Sequence, residues 1–175
     1  MNNIKEITLA TADDIDEIEV FYNEINDHLA ATTNYTNWAR GFYPARADAE
    51  LGVAAKCLFI LRIDGALAAS VILNHEANTV YDAAPWGIQA QNHETIFVHT
   101  LTVHPNFHKQ GLASKLLHFA QDHARELGVK TIRFDVATKN IPAIALYEKL
   151  GFQYVDTVDL LLPHWKWFRL YEMVM

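Results

Sequence analysis

The segment NFHKQGLASKLL, Asn106 to Leu117, sets basic and amide side chains just before a glycine that opens an amphipathic run. The start of a helix exposes unpaired backbone N–H groups and the positive end of the helix dipole, a setting suited to a phosphate. The amides near Lys109, Gln110, Gly111, Leu112 and Ala113 could surround one. Gly111 lacks the β-carbon that would block close approach, Ala113 is small, and Lys109 adds charge. A single glycine fits neither the P-loop nor the dinucleotide fingerprint. A plain helix start after Pro105 needs no ligand, so the segment alone leaves both readings open.

Proton-transfer groups lie nearby in the chain. His99, in the run TIFVHTLTV, falls on the same strand face as Leu101 and Val103. An imidazole suits proton transfer near neutral pH, which makes His99 the first candidate for a general base. Glu94, at the entrance of that strand, is the second, relaying through water. His93, His99, His104 and His108 cluster in sequence, but strand neighbours at odd offsets diverge, and no cysteine or HExxH pattern accompanies them. No metal is expected. His118 and His123 are five apart, off the one-turn helical spacing. Cys57 sits alone in the apolar run KCLFILRI, so it forms no intramolecular disulfide and reads as a small buried hydrophobe.

The elements that must position these groups follow from periodicity. IKEITLA, with Ile4, Ile7 and Leu9, is read as a strand. Ile15, Ile18, Phe21 (or Tyr22) and Ile25 recur at helical spacing after a cap at Thr11 or Asp13. Pro44 opens a second helix over roughly 45–56. CLFILRI, the Asp64-Gly65 turn and ALAASVILN form a hairpin. A long irregular segment precedes TIFVHTLTV, whose β-branched and aromatic content suits a central strand. Gly111 to Leu127 is a helix with Leu112, Leu116, Phe119, Ala120 and Leu127 on one stripe, stopped by Gly128. KTIRFDVA alternates Ile132, Phe134 and Val136 against Arg133 and Asp135. Asn140 to Leu150 is a short helix ended by Gly151, and FQYVDTVDL and WFRLYEMVM close the chain as antiparallel strands. The order β α α β β β α β α β β gives a mixed α/β (α+β) domain around one sheet.

The bulk numbers agree with one domain spanning residues 1–175: half the residues are hydrophobic (51%) and a fifth charged (20%). A net charge of −7 argues against nonspecific nucleic-acid binding. The N-terminus lacks a basic region followed by an apolar stretch, and no apolar run reaches membrane-spanning length. The expectation is a cytoplasmic protein with no membrane contact.

Two further motifs decide the reading of the glycine turn. TLTVHPNFHKQGLASKLL is followed, one strand later, by NIPAIALYEKLGF. Together they resemble the GNAT superfamily of acetyl-CoA-dependent N-acetyltransferases. The matching positions are Leu101, Val103 and Pro105 at the strand end, then His108-Lys109-Gln110-Gly111-Leu112-Ala113, then Asn140, Ala143, Tyr147, Gly151 and Phe152. The resemblance is strong over roughly 97–154 and compatible in element order before that. The departure is His108, where the family usually carries Arg or Gln; backbone amides, which any residue supplies, make most of the family's pyrophosphate grip.

The resemblance implies a GNAT-like fold and acetyl-CoA as cosubstrate. It implies that the pantetheine arm pairs with the backbone of Leu101, Thr102 and Val103 as if it were an added strand. The pyrophosphate meets residues His108 to Ser114, that is His108, Lys109, Gln110, Gly111, Leu112, Ala113 and Ser114. The Leu101 amide stabilises the oxyanion, Asn140 hydrogen-bonds the arm, and Ala143 and Tyr147, one helical step apart, face the cofactor. Tyr147 is then the general acid for the departing thiolate. Some arylalkylamine acetyltransferases, which this segment resembles, carry a histidine at the offset of His99. By the same analogy the acceptor site draws on NYTNWARGFYP and YDAAPWG, where Tyr35, Trp38, Tyr43, Tyr81 and Trp86 offer aromatic faces for a cationic amine or a ring. The expected acceptor is a small amine or amino-acid-like molecule. A protein N-terminus or lysine, and a non-catalytic acetyl-CoA-binding module, are the competing expectations. A homodimer is allowed for.

Overall fold

Asp64 and Gly65 both turn at positive φ, 50° and 84°. Such a two-residue turn matches the right-handed twist of the strands it joins. The chain therefore doubles back from β2 (Leu58–Ile63) to β3 (Ala66–Asn74) as an antiparallel hairpin. β1 (Lys5–Leu9) pairs antiparallel with the other side of β2. The structure, a computed structural model, describes residues 5–163 and 165–175; Ile4, expected to open the first strand, lies outside them.

The remaining elements are α1 (Ile15–Ala31), α2 (Arg46–Ala54), β4 (Thr95–Val103), α3 (Leu112–Leu127), β5 (Thr131–Ala137), α4 (Ile141–Lys149), β6 (Gln153–Leu162) and β7 (Trp165–Val174). Their sequence along the chain is the one expected. The strands form a seven-stranded mixed sheet in the order β1-β2-β3-β4-β5-β7-β6. The β4–β5 pair is parallel, as a β-α-β connection through α3 requires, and β5–β7 and β6–β7 are antiparallel.

The chain divides into two compact units. The first comprises the chain up to Asn34, Trp38–Leu73 and His99–His118; the second comprises Tyr35–Asn37, Asn74–Val98 and Phe119–Met175. The division cuts β4 between Val98 and His99. In the first unit Ile18, Phe21, Tyr22 and Ile25 bury one stripe of α1 against Leu58, Ile60, Leu67 and Ile72. Four such side chains contribute about 2 kcal/mol each. Arg62 ties the start of that helix to β2 through Asp14 (2.9 Å) and Glu17 (2.5 Å). Thr11 donates its N–H and hydroxyl to Asp14 and flanks the 3-10 turn Ala12–Asp14; α1 itself starts after Asp14, not after Thr11 or Asp13 as expected.

The second unit is built on Tyr81, Phe97, Ala137, Leu160, Phe168 and Leu170. Two expectations are corrected. Arg133 does not face solvent opposite Ile132 and Phe134: it is 5% exposed, because the irregular segment before β4 covers that face of β5. Leu127 does not join the buried stripe of α3, which runs through Leu112, Leu116, Leu117, Ala120 and Ala124; at the last residue of the helix it is 52% exposed.

Candidate active site

β4 is not a regular strand. Thr100 has a φ of 50°, a left-handed value rare for a β-branched residue. Its hydroxyl lies 2.5 Å from the Tyr43 hydroxyl. Two residues on, the Thr102 hydroxyl pairs with Ser70 Oγ at 2.7 Å. Thr100 and Thr102 are buried, whereas His99, Leu101 and Val103 are half-buried, so the alternation sets these three on the less covered side.

After Val103 the chain makes a 3-10 turn, Pro105–Phe107, capped by His104. His104 Nδ1 accepts from the Asn106 N–H at 3.2 Å, and its Nε2 donates to Glu24 at 2.8 Å. The ring stacks on Phe21 of α1. Lys109 (φ 62°) and Gly111 (φ 73°) then take two left-handed steps, and α3 begins. Gly111 C=O accepts from the Lys115 N–H at 3.0 Å, and buried Leu112 pins the first turn. A β-carbon at Gly111 would meet no protein atom within 4 Å. The protein therefore requires glycine here for conformation, and the space beside it is open. His108, Lys109 and Gln110 are exposed; Ala113 and Ser114 are half-buried in the first turn.

In the second unit Asn140 caps α4. Its Oδ1 accepts from the Ala143 N–H at 3.3 Å. Pro142 fits the first turn, where its missing N–H costs nothing. Tyr147, one turn beyond Ala143, is 8% exposed and packs on Phe134 at 4.5 Å, with Phe152 and Tyr171 around it. Burial, with a smaller contribution from Asp135, pushes its phenol above the usual value, so the hydroxyl keeps its proton at neutral pH.

Glu94 is otherwise engaged. It pairs with Lys130 at 2.5 Å and accepts from the Gln91 N–H at 2.9 Å, closing a 3-10 turn ahead of β4. The Lys130 hydrogen bond, then the Gln91 amide, hold its carboxyl below the usual range, which disfavours it as a base.

The aromatic residues fall into separate groups within their units. In the first, Trp38 stands edge-on to Tyr43 at 5.6 Å, and a tight turn between them exposes Phe42 (80%). In the second, Trp86 lies 4.4 Å from the Arg133 guanidinium, donates its Nε1–H to Tyr81 C=O and meets the Tyr81 ring edge-on. The Tyr81 hydroxyl donates to Asp135. These bonds anchor the segment before β4. Tyr35, in the second unit, is exposed.

The sequence reading missed the centre of that anchor. Glu172 (4% exposed) bonds Arg133 at 2.9 Å and accepts from the Gly87 N–H at 2.7 Å, and Arg133 also donates to Ile88 C=O at 2.6 Å. A β-carbon on Gly87 would stand 2.8 Å from Glu172 Oε2, so only glycine allows this approach. The one available signal was the Trp86-Gly87 pair beside Pro85; nothing local pointed to Glu172. Among the described residues no three histidine, cysteine or acidic side chains gather as metal ligands, and no helix is long and apolar enough to cross a membrane.

The whole fold is that of solved acetyltransferases. The acetyltransferase of GNAT family from Streptococcus agalactiae 2603 superposes with a TM-score of 0.76 at 25% identity, covering 98% of this chain and 95% of that one. yncA of Salmonella typhimurium, solved with its cofactor acetyl-CoA, gives 0.68 at 19% identity, with 98% and 94% covered. The model of the acetyltransferase (GNAT) family matches residues 19–152, and the chain belongs to that family. The ribosomal protein bS18-alanine N-acetyltransferase of Escherichia coli (strain K12) is 42% identical over 52 residues, 30% of this chain; the match spans about a third (35%) of that enzyme.

Proposed function

We propose that this protein moves an acetyl group from acetyl-CoA to a primary amine by direct attack, with a small amine or amino-acid-like acceptor. The observation that carries the reading is the turn before α3. Lys109 and Gly111 take left-handed steps into a helix start whose first amides lack intrahelical partners, and the space at Gly111 is open. That arrangement suits the pyrophosphate of acetyl-CoA, bound by residues His108 to Ser114.

The amine nitrogen attacks the thioester carbonyl, the C–N bond forms, and the C–S bond breaks. The left-handed φ of Thr100 interrupts the regular strand geometry just before Leu101, which supports the Leu101 N–H as donor to the oxyanion. Leu101, Thr102 and Val103 lend their backbone to the pantetheine arm, and Asn140 Nδ2 donates to it. Tyr147, protonated and buried, gives its proton to the thiolate. His99, half-buried on the Leu101 and Val103 side, takes a proton from the substrate ammonium so that the neutral amine can attack. Trp38, Tyr43 and exposed Phe42 supply the aromatic side of the acceptor site.

The test is release of CoA thiol from acetyl-CoA against a panel of small amines, amino acids and a peptide with a free N-terminus. Turnover with small amines supports the proposal. CoA protection from thermal unfolding with no turnover on any amine assigns a binding module instead. Peptide turnover alone would favour a protein N-terminus, a reading prompted by the partial match to the E. coli enzyme. His99→Ala with an unchanged pH–rate profile removes His99 as base.

A further inference from the structure

Thr100 holds a backbone conformation that its own chemistry disfavours. Glycine enters the left-handed region freely, but a β-branched residue is crowded there. At Thr100 φ is 50°, and the residue is 6% exposed. Such a conformation persists only where the surroundings impose it. The Thr100 hydroxyl bonds the Tyr43 hydroxyl, 2.5 Å away and 57 residues earlier in the chain. A buried hydroxyl without a partner is costly, so this contact keeps the Thr100 side chain where it is. Glycine at position 100 would adopt the same φ with no such support.

Tyr43 is itself presented from a fixed base. It closes a tight turn with Ala39, and the two residues exchange both backbone hydrogen bonds, at 3.1 and 3.3 Å. Within that turn Arg40 pairs with Asp27 of α1 at 2.6 Å. Just after it, Asn26 of α1, 1% exposed, donates its Nδ2–H to Pro44 C=O at 3.1 Å. Two adjacent side chains of α1 therefore grip the turn on either side of Tyr43. The Tyr43 hydroxyl then joins this anchored turn to β4.

We infer that Tyr43 is a positioning residue for acetyl transfer. The Leu101 N–H belongs to the planar peptide group that follows Thr100, so the torsion angles of Thr100 set the direction in which that N–H points. By holding Thr100 at positive φ, the Tyr43 hydroxyl aims the donor that stabilises the oxyanion. The ring and the hydroxyl of Tyr43 then have separate tasks. The ring belongs to the proposed acceptor site, and the hydroxyl acts through Thr100 on the charge that develops during transfer. The inference rests on the acetyl-transfer reading above.

The experiment is steady-state kinetics and amide NMR spectra of the wild-type protein, Tyr43→Phe, Thr100→Gly and the double variant. Tyr43→Phe keeps the ring and removes the hydroxyl. Its kcat should fall about ten-fold, part of the roughly hundred-fold or more lost when an oxyanion donor is removed outright. KM for acetyl-CoA and for the amine should stay within about two-fold. In Thr100→Gly, whose backbone needs no support, adding Tyr43→Phe should change kcat by less than about two-fold. The Leu101 amide resonance should move in Tyr43→Phe and coincide in Thr100→Gly and the double variant. A merely structural role for Tyr43 would lower Tm and leave kcat unchanged. Wild-type kcat in Tyr43→Phe, an unmoved Leu101 resonance, or the same ten-fold loss in both backgrounds overturns the inference and leaves the acetyl-transfer reading standing. If Thr100→Gly is inactive, kcat and the Leu101 resonance of Tyr43→Phe decide it alone. A wild-type protein that acetylates no amine overturns both.

Discussion

Gly111 and Gly128 flank α3 and form a matched pair for testing the phosphate turn. Their φ values are 73° and 67°, and at neither would a β-carbon meet a protein atom within 4 Å. Alanine at either site therefore carries the same backbone penalty, about 1–2 kcal/mol for a left-handed L-residue. The lost freedom of the unfolded chain offsets roughly half of that. The net cost is about 1 kcal/mol, or about 2–4 °C in Tm for a domain of this size. The ligand separates them. At Gly111 the added methyl enters the open space where the phosphate is proposed to sit; at Gly128 it enters solvent at the far end of the helix. Losing one well-made amide contact to phosphate is worth at least about 1.4 kcal/mol, a factor of ten. Thermal scans should show similar losses for Gly111→Ala and Gly128→Ala, and CoA titration should show a ten-fold or greater rise in Kd for Gly111→Ala alone. Equal Tm losses with wild-type Kd in both would mean that Gly111 only shapes the backbone, and the phosphate reading of the turn would fall.

Tyr147→Phe keeps the packing against Phe134, Phe152 and Tyr171 and removes a hydroxyl that makes no hydrogen bond among the described residues. Stability should stay within about 0.5 kcal/mol, and kcat should fall about a hundred-fold or more with little change in KM; full turnover removes Tyr147 from the chemistry. Glu172→Gln leaves the Arg133 guanidinium buried without its countercharge, at a cost of about 3 kcal/mol. Urea denaturation measures it, and a loss below about 1 kcal/mol would show that the pair is not what holds the Trp86–Ile88 segment. The phenols of Tyr22 and Tyr147 are both raised by burial. A raised folded-state value means stability is complete below the unfolded value near 10 and is lost as pH rises past it. The urea midpoint should fall above about pH 10, and Tyr22→Phe combined with Tyr147→Phe should flatten that fall; an unchanged alkaline slope counts against burial as its cause.

The features legible in the sequence were those fixed by short-range rules. The Asp64-Gly65 hairpin and the glycine stop after α3 each depend on backbone geometry within a few residues, and each stands where it was expected. Gly111 reads in the sequence as a missing β-carbon; its left-handed φ of 73° is a finding of the structure. Thr100 shows the opposite case. A β-branched residue in a run of strand formers gives no sign of positive φ, and its conformation is accompanied by a hydroxyl contact with Tyr43, 57 residues earlier. Arg133 reads as the exposed face of an alternating strand until Glu172, 39 residues later, and the segment at Gly87 close over it.

The same distinction separates the proposed cofactor side of the site from the proposed acceptor side. Binding a pyrophosphate needs main-chain N–H groups at a helix start, and any sequence that builds the turn supplies them; one glycine and one small residue are enough to announce it. Recognising an amine needs side chains brought together by long-range contacts, and residue type does not say where each one goes. Trp38 and Trp86 looked equivalent in the chain, both in aromatic loops with proline nearby. Trp38 lies edge-on to Tyr43, beside a turn that exposes Phe42. Trp86 lies against a buried guanidinium, with its indole N–H donating to Tyr81 C=O. The acceptor preference is therefore better sought in the Trp38–Tyr43 turn, whose last residue bonds the irregular residue of β4. Leu101 follows Thr100 directly, so the loop bonds the residue next to the amide proposed to hold the oxyanion. Under the proposed function, selection of the amine and acetyl transfer would meet at one backbone position, Thr100, whose conformation short-range sequence rules do not reveal.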